Sequence, residues 1–163
     1  MIVLVGFMGA GKSTIGQLLS AKLGLPFADS DPMIERRAAR PIRQIFAADG
    51  EAAFRALEHE VITDLLDGPE AVLALGGGAP EHPGTQARLN GVDVVYLQVG
   101  YEHALRRVGG DDARPLLAQP DLRARYQRRL AVYAAVATLT VRTDDRDPAA
   151  VVDDILDRLY RGS

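Results

Sequence analysis

Short hydrophobic runs alternate along the chain with segments whose apolar residues recur at helical spacing, and glycine or proline marks most of the boundaries. Ile2-Val3-Leu4-Val5 predicts a short buried strand, followed at once by a glycine-rich loop from Gly6 to Gly11. Over residues 12–23, Ile15, Leu18, Leu19 and Leu23 share one face of a predicted helix, and Gly24 with Pro26 forms a stop signal. A second strand ends at Asp29. Helical patterns follow over 32–40, 41–48 and 51–66, the last with Phe54, Leu57, Val61 and Leu65 on one face. Residues 71–75 predict a third strand, stopped by Gly76-Gly77-Gly78. Further strands are predicted at 92–99 and 138–141, with helical patterns between and after them. Strands that alternate with helices require crossover connections, so the expected fold class is α/β, with a mainly parallel sheet covered by helices on both faces. Gly109 and Gly110 open a polar, proline-containing stretch to Pro120 without core periodicity, which is expected to be a mobile loop within the domain.

Composition narrows the class. With 163 residues, 47% hydrophobic and 25% charged, the chain has the balance of a globular protein and the length of a single domain, taken here as 1–163. No run approaches the roughly 18 consecutive apolar residues of a membrane span. The apolar start has no basic segment before it, so no signal peptide is expected and the location is expected to be cytoplasmic. Cysteine is absent, which excludes disulfides, thiolate metal sites and cysteine nucleophiles. A net charge of −3 and a pI near 5.6 argue against a nucleic-acid partner. A compact domain with no evident second apolar patch is expected to be a monomer.

The chemistry starts in the glycine loop. Gly6-Phe7-Met8-Gly9-Ala10-Gly11-Lys12-Ser13 fills every fixed position of G-x-x-x-x-G-K-[ST], between a strand and a helix as the phosphate-cradling mechanism requires. Backbone N–H groups of Gly9, Ala10 and Gly11 would point into one concavity at the positive end of the helix. Lys12 would reach the β and γ phosphates, Ser13 would offer its hydroxyl to Mg²⁺, and Thr14 would serve the α phosphate. The loop alone does not define a reaction. No Asn-Lys-x-Asp motif follows a later strand, as a GTPase would need, and the third strand ends in glycines where a motor ATPase would carry Asp. The carboxylates come from the second strand, as Asp29-Ser30-Asp31. Asp29 suits a role holding Mg²⁺ through water, and Asp31 can accept a proton from an acceptor hydroxyl. Asp31-Pro32 reads equally as the N-cap and first residue of the next helix.

The order of six elements carries a resemblance: the loop at 6–16, Asp29-Ser30-Asp31, Phe54-Arg55 with Glu58, Leu75-Gly76-Gly77-Gly78, Arg114-Pro115-Leu116-Leu117, and Arg129 to Tyr133. Over nearly its whole length the chain resembles the shikimate kinase family. The resemblance implies transfer of the γ-phosphoryl group of ATP to the 3-hydroxyl of shikimate with Mg²⁺, and a five-stranded parallel sheet in three α/β/α layers, a P-loop fold like that of nucleoside monophosphate kinases. It implies Asp31, Lys12 and Arg114 as catalytic residues, Arg114 from a lid at about 109–120. It further implies that Arg55 and Arg129 bind the shikimate carboxylate, that Gly76, Gly77 and Gly78 line the acceptor, and that Arg107, Arg146 and Pro148 flank the adenine. The acceptor-binding helical segment would be about 32–66.

Several readings qualify this picture. Arg55 is expected on the helix face away from Phe54, Leu57 and Val61, where Glu58 can orient it. Family members usually carry a proline between the positions of Arg129 and Tyr133, where this chain has Leu130-Ala131-Val132, and the segment from Pro120 to Arg129 is short, so with a shifted helix register Arg128 as well as Arg129 is a candidate for the carboxylate contact. His59, His82 and His103 lack metal-ligand spacing and are expected to be surface or structural residues. The alternatives are a kinase for another small acceptor, gluconate-like or a nucleoside monophosphate, and a silent nucleotide-binding regulatory module.

Overall fold

The computed structural model describes residues 1–108 and 120–161. The expected lid, with Arg114, falls outside the described residues except for Pro120. Five parallel strands form one sheet in the order β2-β3-β1-β4-β5: β1 Ile2–Val5, β2 Phe27–Asp29, β3 Val72–Ala74, β4 Asp93–Gln98 and β5 Leu139–Arg142. The central strand β1 is apolar and buried at every position because helices cover both faces, the pattern that produces a continuous hydrophobic run in place of alternation. It pairs Leu4 with Ala74 of β3 on one side and with Val95 of β4 on the other.

The helices are α1 Lys12–Leu23, α2 Ser30–Ala38, α3 Ile42–Asp67, α4 Pro83–Leu89, α5 Tyr101–Val108, α6 Leu122–Val136 and α7 Pro148–Tyr160, with a 3₁₀ turn at Ala79–Glu81. α1 ends at Gly24 in the left-handed conformation, as its stop signal predicts. α2 begins two residues earlier than the pattern suggests, and the capping assignment changes with it. Asp29, not Asp31, is the N-cap, its side chain accepting the Asp31 N–H at 3.0 Å. The helices expected at 41–48 and 51–66 are two arms of α3, separated by Gly50 at φ 86° and ψ 172°, a backbone conformation that L side chains rarely adopt.

There are two cores. The larger surrounds the sheet, with Val3, Leu4, Leu73, Val95 and Leu97 at its centre. The smaller, made of Ile34, Ile45, Phe54 and Val61, joins α2 to α3. The C-terminal ends of β1, β3 and β2 lie side by side and deliver the glycine loop, the Gly76–Gly78 run and Asp29 to one crevice.

Candidate active site

The phosphate loop is shaped by its glycines. Gly9 has φ 77°, and a Cβ there would stand 2.7 Å from the Ala104 carbonyl oxygen of α5. Gly11, at φ 92°, is the N-cap of α1 and provides no side chain to bond the first helical N–H groups. Those donors stay free at the positive end of the helix for an anion. The Lys12 ammonium donates to the carbonyls of Gly6, at 2.7 Å, and Phe7, at 3.1 Å. Burial of the ammonium lowers its pKa to about 8, against the opposing pull of Asp31 and Asp29. The Ser13 hydroxyl donates to Asp29 Oδ2 at 3.1 Å, so Asp29 both caps α2 and touches the loop.

Beside the loop lies a cleft of about 340 Å³ lined by Met8, Lys12, Ser13, Asp29, Asp31, Leu75, Gly76, Gly77 and Arg129. It brings expected phosphate-binding and acceptor-binding residues to one space. Desolvation raises the Asp31 pKa, with Asp29 adding to the shift and Lys12 opposing it, so the carboxylate has more proton affinity than an ordinary aspartate. The Gly76 N–H donates to the buried Ser30 hydroxyl at 3.1 Å, and Tyr133 donates its hydroxyl to the Gly77 carbonyl at 2.6 Å. Burial raises the Tyr133 pKa, which keeps that donor protonated.

Both arginines expected at the acceptor carboxylate approach the glycine run, and a side chain at Gly78 would collide with the guanidinium groups of Arg55 and Arg129. Arg55 donates from Nη1 to Glu58 Oε1 at 2.8 Å, as the i, i+3 spacing predicts. Glu58 itself is only 2% exposed, and desolvation raises its pKa while Arg55 opposes the rise. The expectation that Arg55 turns away from Phe54 needs correction, because its guanidinium carbon lies 5.1 Å from the Phe54 ring centroid. Of the two candidate arginines, Arg129 is 7% exposed and lines the cleft, whereas the Arg128 side chain is 63% exposed.

A second cleft, of about 280 Å³, lies on the other side of the loop and is lined by Ala10, Gly11, Thr14, Ile15, Arg107, Thr143, Arg146, Pro148 and Val151. It therefore gathers the residues expected around the adenine. Arg107 donates to the Gly9 carbonyl at 3.0 Å, to the Thr143 hydroxyl at 3.1 Å and to the Thr143 carbonyl at 2.6 Å, tying the phosphate loop to the exit of β5. Arg146 pairs with Asp154 at 3.0 Å.

Sequence reasoning missed Ser30, Thr143, Glu81 and the bond made by Tyr133. Tyr133 and Thr143 meet partners 56 and 36 positions away, a relation no local pattern encodes. The histidines are structural or peripheral: His82 caps α4 by accepting the Gly84 and Thr85 N–H groups, His59 stacks on it at 4.5 Å between centroids, and His103 pairs with Asp145 at 3.0 Å.

Comparison with known proteins places this geometry in a family. The shikimate kinase family model matches residues 8–160. Shikimate kinase of Mycobacterium avium is 47% identical over 96% of this chain and 92% of its own length. Among solved structures, a shikimate kinase from Acinetobacter baumannii in complex with shikimate superposes with a TM-score of 0.90 at 35% identity, covering 99% of this chain and 93% of that one. The shikimate kinase of Aquifex aeolicus gives 0.85 at 35% identity, covering 99% and 96%. The chain belongs to the shikimate kinase family.

Proposed function

We propose that this chain transfers the γ-phosphoryl group of ATP to the 3-hydroxyl of shikimate, giving shikimate 3-phosphate on the route to chorismate and the aromatic amino acids. The observation that carries the residue assignment is the convergence of Arg55 and Arg129 on Gly78, in the crevice where Asp31 and Lys12 share a cleft. Two guanidinium forks suit one carboxylate in charge and geometry.

In this reading Arg55 and Arg129 orient shikimate, the Gly76–Gly78 backbone packs against it, and Asp31 accepts the proton of the attacking hydroxyl. Its raised proton affinity suits that task. Lys12 and the N–H groups of Gly9, Ala10 and Gly11 hold the β and γ phosphates, Thr14 serves the α phosphate, and positioning with charge stabilisation supplies most of the acceleration. Arg107, Arg146 and Pro148 flank the adenine in the second cleft. By the resemblance, Arg114 from a lid at about 109–120, which lies outside the described residues except for Pro120, would reach the phosphates.

The residues fit Mg²⁺. Ser13 donates its proton to Asp29 and keeps its oxygen lone pairs available, an oxygen donor set of the kind this hard cation takes. Among the described residues no three His, Asp or Glu gather to hold a metal unaided, which suits an ion that shares the nucleotide phosphates. Bound there, Mg²⁺ would neutralise phosphate charge. The same reading takes 1–163 as one catalytic unit, a cytoplasmic monomer without nucleic-acid or membrane partners; among the described residues no helix is long and apolar enough to cross a membrane.

The test is a coupled assay with ATP, Mg²⁺ and a panel of shikimate, gluconate and nucleoside monophosphates. Shikimate is expected to be turned over with a kcat/KM at least about a hundredfold above the others, because a site built to pair a substrate group penalises analogues that leave it unpaired. Equal or better turnover of gluconate or a monophosphate would overturn the assignment.

A further inference from the structure

Glu81 ends the 3₁₀ turn that follows the glycine run, and its origin is fixed. The Ala79 N–H donates to the Gly76 carbonyl at 3.0 Å, the Glu81 N–H to the Gly78 carbonyl at 3.1 Å, and Ala79 and Pro80 are buried. From there the carboxylate receives Arg129 Nε on Oε2 at 3.1 Å and Arg128 Nε on Oε1 at 3.2 Å. A guanidinium can grip a carboxylate side-on, through Nε and one Nη, or end-on, through both Nη groups. Glu81 occupies Nε, and the Arg129 atoms that approach Gly77 and Gly78 are Nη1 and Nη2, with the Tyr133 hydroxyl beside the same guanidinium.

We propose that Glu81 is a positioning residue for shikimate recognition: it holds Arg129 by the Nε edge so that the Nη1–Nη2 edge meets the substrate carboxylate. The inference rests on the function proposed above. It assigns each carboxylate-binding arginine a partner of its own, Glu58 for Arg55 and Glu81 for Arg129, so both forks are set before substrate arrives.

Glu81 also carries a negative charge close to where an anion must bind, and the two effects oppose each other. Orientation wins for two reasons. The charge is shared with Arg128, so the Arg128–Glu81–Arg129 group remains net positive. Arg129 is also 7% exposed, and a nearly buried guanidinium without its Nε acceptor would turn to find another. Burial would raise the Glu81 pKa, but Arg129 and Arg128 outweigh that and hold it below the usual carboxylate range, so the pair stays ionised at neutral pH.

The experiment compares wild type, Glu81→Ala, Glu81→Gln and Arg128→Gln by steady-state kinetics, and by calorimetric titration with shikimate and with its uncharged methyl ester. Glu81→Ala is expected to weaken shikimate about tenfold in both KM and Kd, with the KM for ATP within about twofold and the melting temperature within a few degrees. Glu81→Gln keeps an acceptor of the same length and should recover most of the loss. The methyl ester should bind wild type and Glu81→Ala alike, since the effect runs through the carboxylate. Arg128→Gln should stay within about twofold of wild type, being an exposed pair. Unchanged or tighter shikimate binding by Glu81→Ala, an equal loss for the methyl ester, or a tenfold loss in Arg128→Gln would overturn the proposal. Wild type that binds and turns over shikimate while Glu81→Ala matches it refutes this inference alone; wild type that ignores shikimate refutes the functional reading beneath it.

Discussion

Lys12 and Asp31 share a cleft, and the environment moves their proton affinities towards each other. Below pH 8 Lys12 is charged and bears the burial penalty; above pH 8 the unliganded protein gives up that proton. Phosphates restore the charge, so nucleotide binding above pH 8 takes up a proton and must weaken as pH rises, by up to about tenfold per unit until the ordinary lysine range is reached. The check is the KM for ATP from pH 7 to 9.5, where a flat profile would count against Lys12 as the phosphate ligand. Asp31 has the opposite sign of shift. As a general base it must be ionised, so kcat should fall as pH drops through a pKa above the usual aspartate value. Asp31→Asn should lower kcat by about 10² to 10⁴ and abolish that acid limb. Arg55→Lys keeps the charge but loses the fork, so it should raise the KM for shikimate and leave that for ATP nearly unchanged. Equal weakening of both substrates by Arg55→Lys would contradict the division of labour.

Elements near the site were legible in proportion to how local their causes are. The P-loop, α1 and its glycine stop, and the five strands follow from motif, periodicity and punctuation, and observed strand bounds differ from the expected ones by at most one residue. The start of α2 was misplaced because Asp29 and Asp31 are both good caps by type, and only the 3.0 Å bond to the Asp31 N–H tells them apart. Glu81 left no local signal, since Arg129 lies 48 positions away on α6 and the two meet only after the sheet has formed. The resemblance implies that the glycine run lines the acceptor. The structure adds that it is room for the protein's own arginines, because a methyl group at Gly78 would collide with both guanidinium groups. Gly78→Ala should therefore displace Arg55 and Arg129 together and raise the KM for shikimate at least about tenfold, while the adenine cleft across the loop keeps ATP affinity within about twofold. Shikimate titration of a folded Gly78→Ala variant with unaltered affinity would show that the arginines need no such space.

At the scale of the molecule, the two cores support the two sides of the proposed site. The sheet core fixes β1 and the loop that meets the nucleotide, while the smaller core of Ile34, Ile45, Phe54 and Val61 fixes α2 against the arm of α3 that carries Arg55 and Glu58. The two meet through Leu65, which packs against both, and through strand ends that deliver Asp29 and Gly76–Gly78. Damage to the smaller core should thus loosen the acceptor side first. Phe54 is buried, packs against Phe46 at 4.5 Å between centroids, and lies under the Arg55 guanidinium. Phe54→Leu keeps an apolar side chain but removes ring area and the cation–π contact, a change expected to cost about 1 to 2 kcal/mol. Hydrogen exchange should speed up over α2 and the α3 arm from residue 51 onwards, with β1 and α1 retaining their protection. The KM for shikimate should rise several-fold with that for ATP held within about twofold. Exchange that accelerates uniformly, β1 included, would mean that the molecule opens as one cooperative unit and that the acceptor segment has no stability of its own to lose.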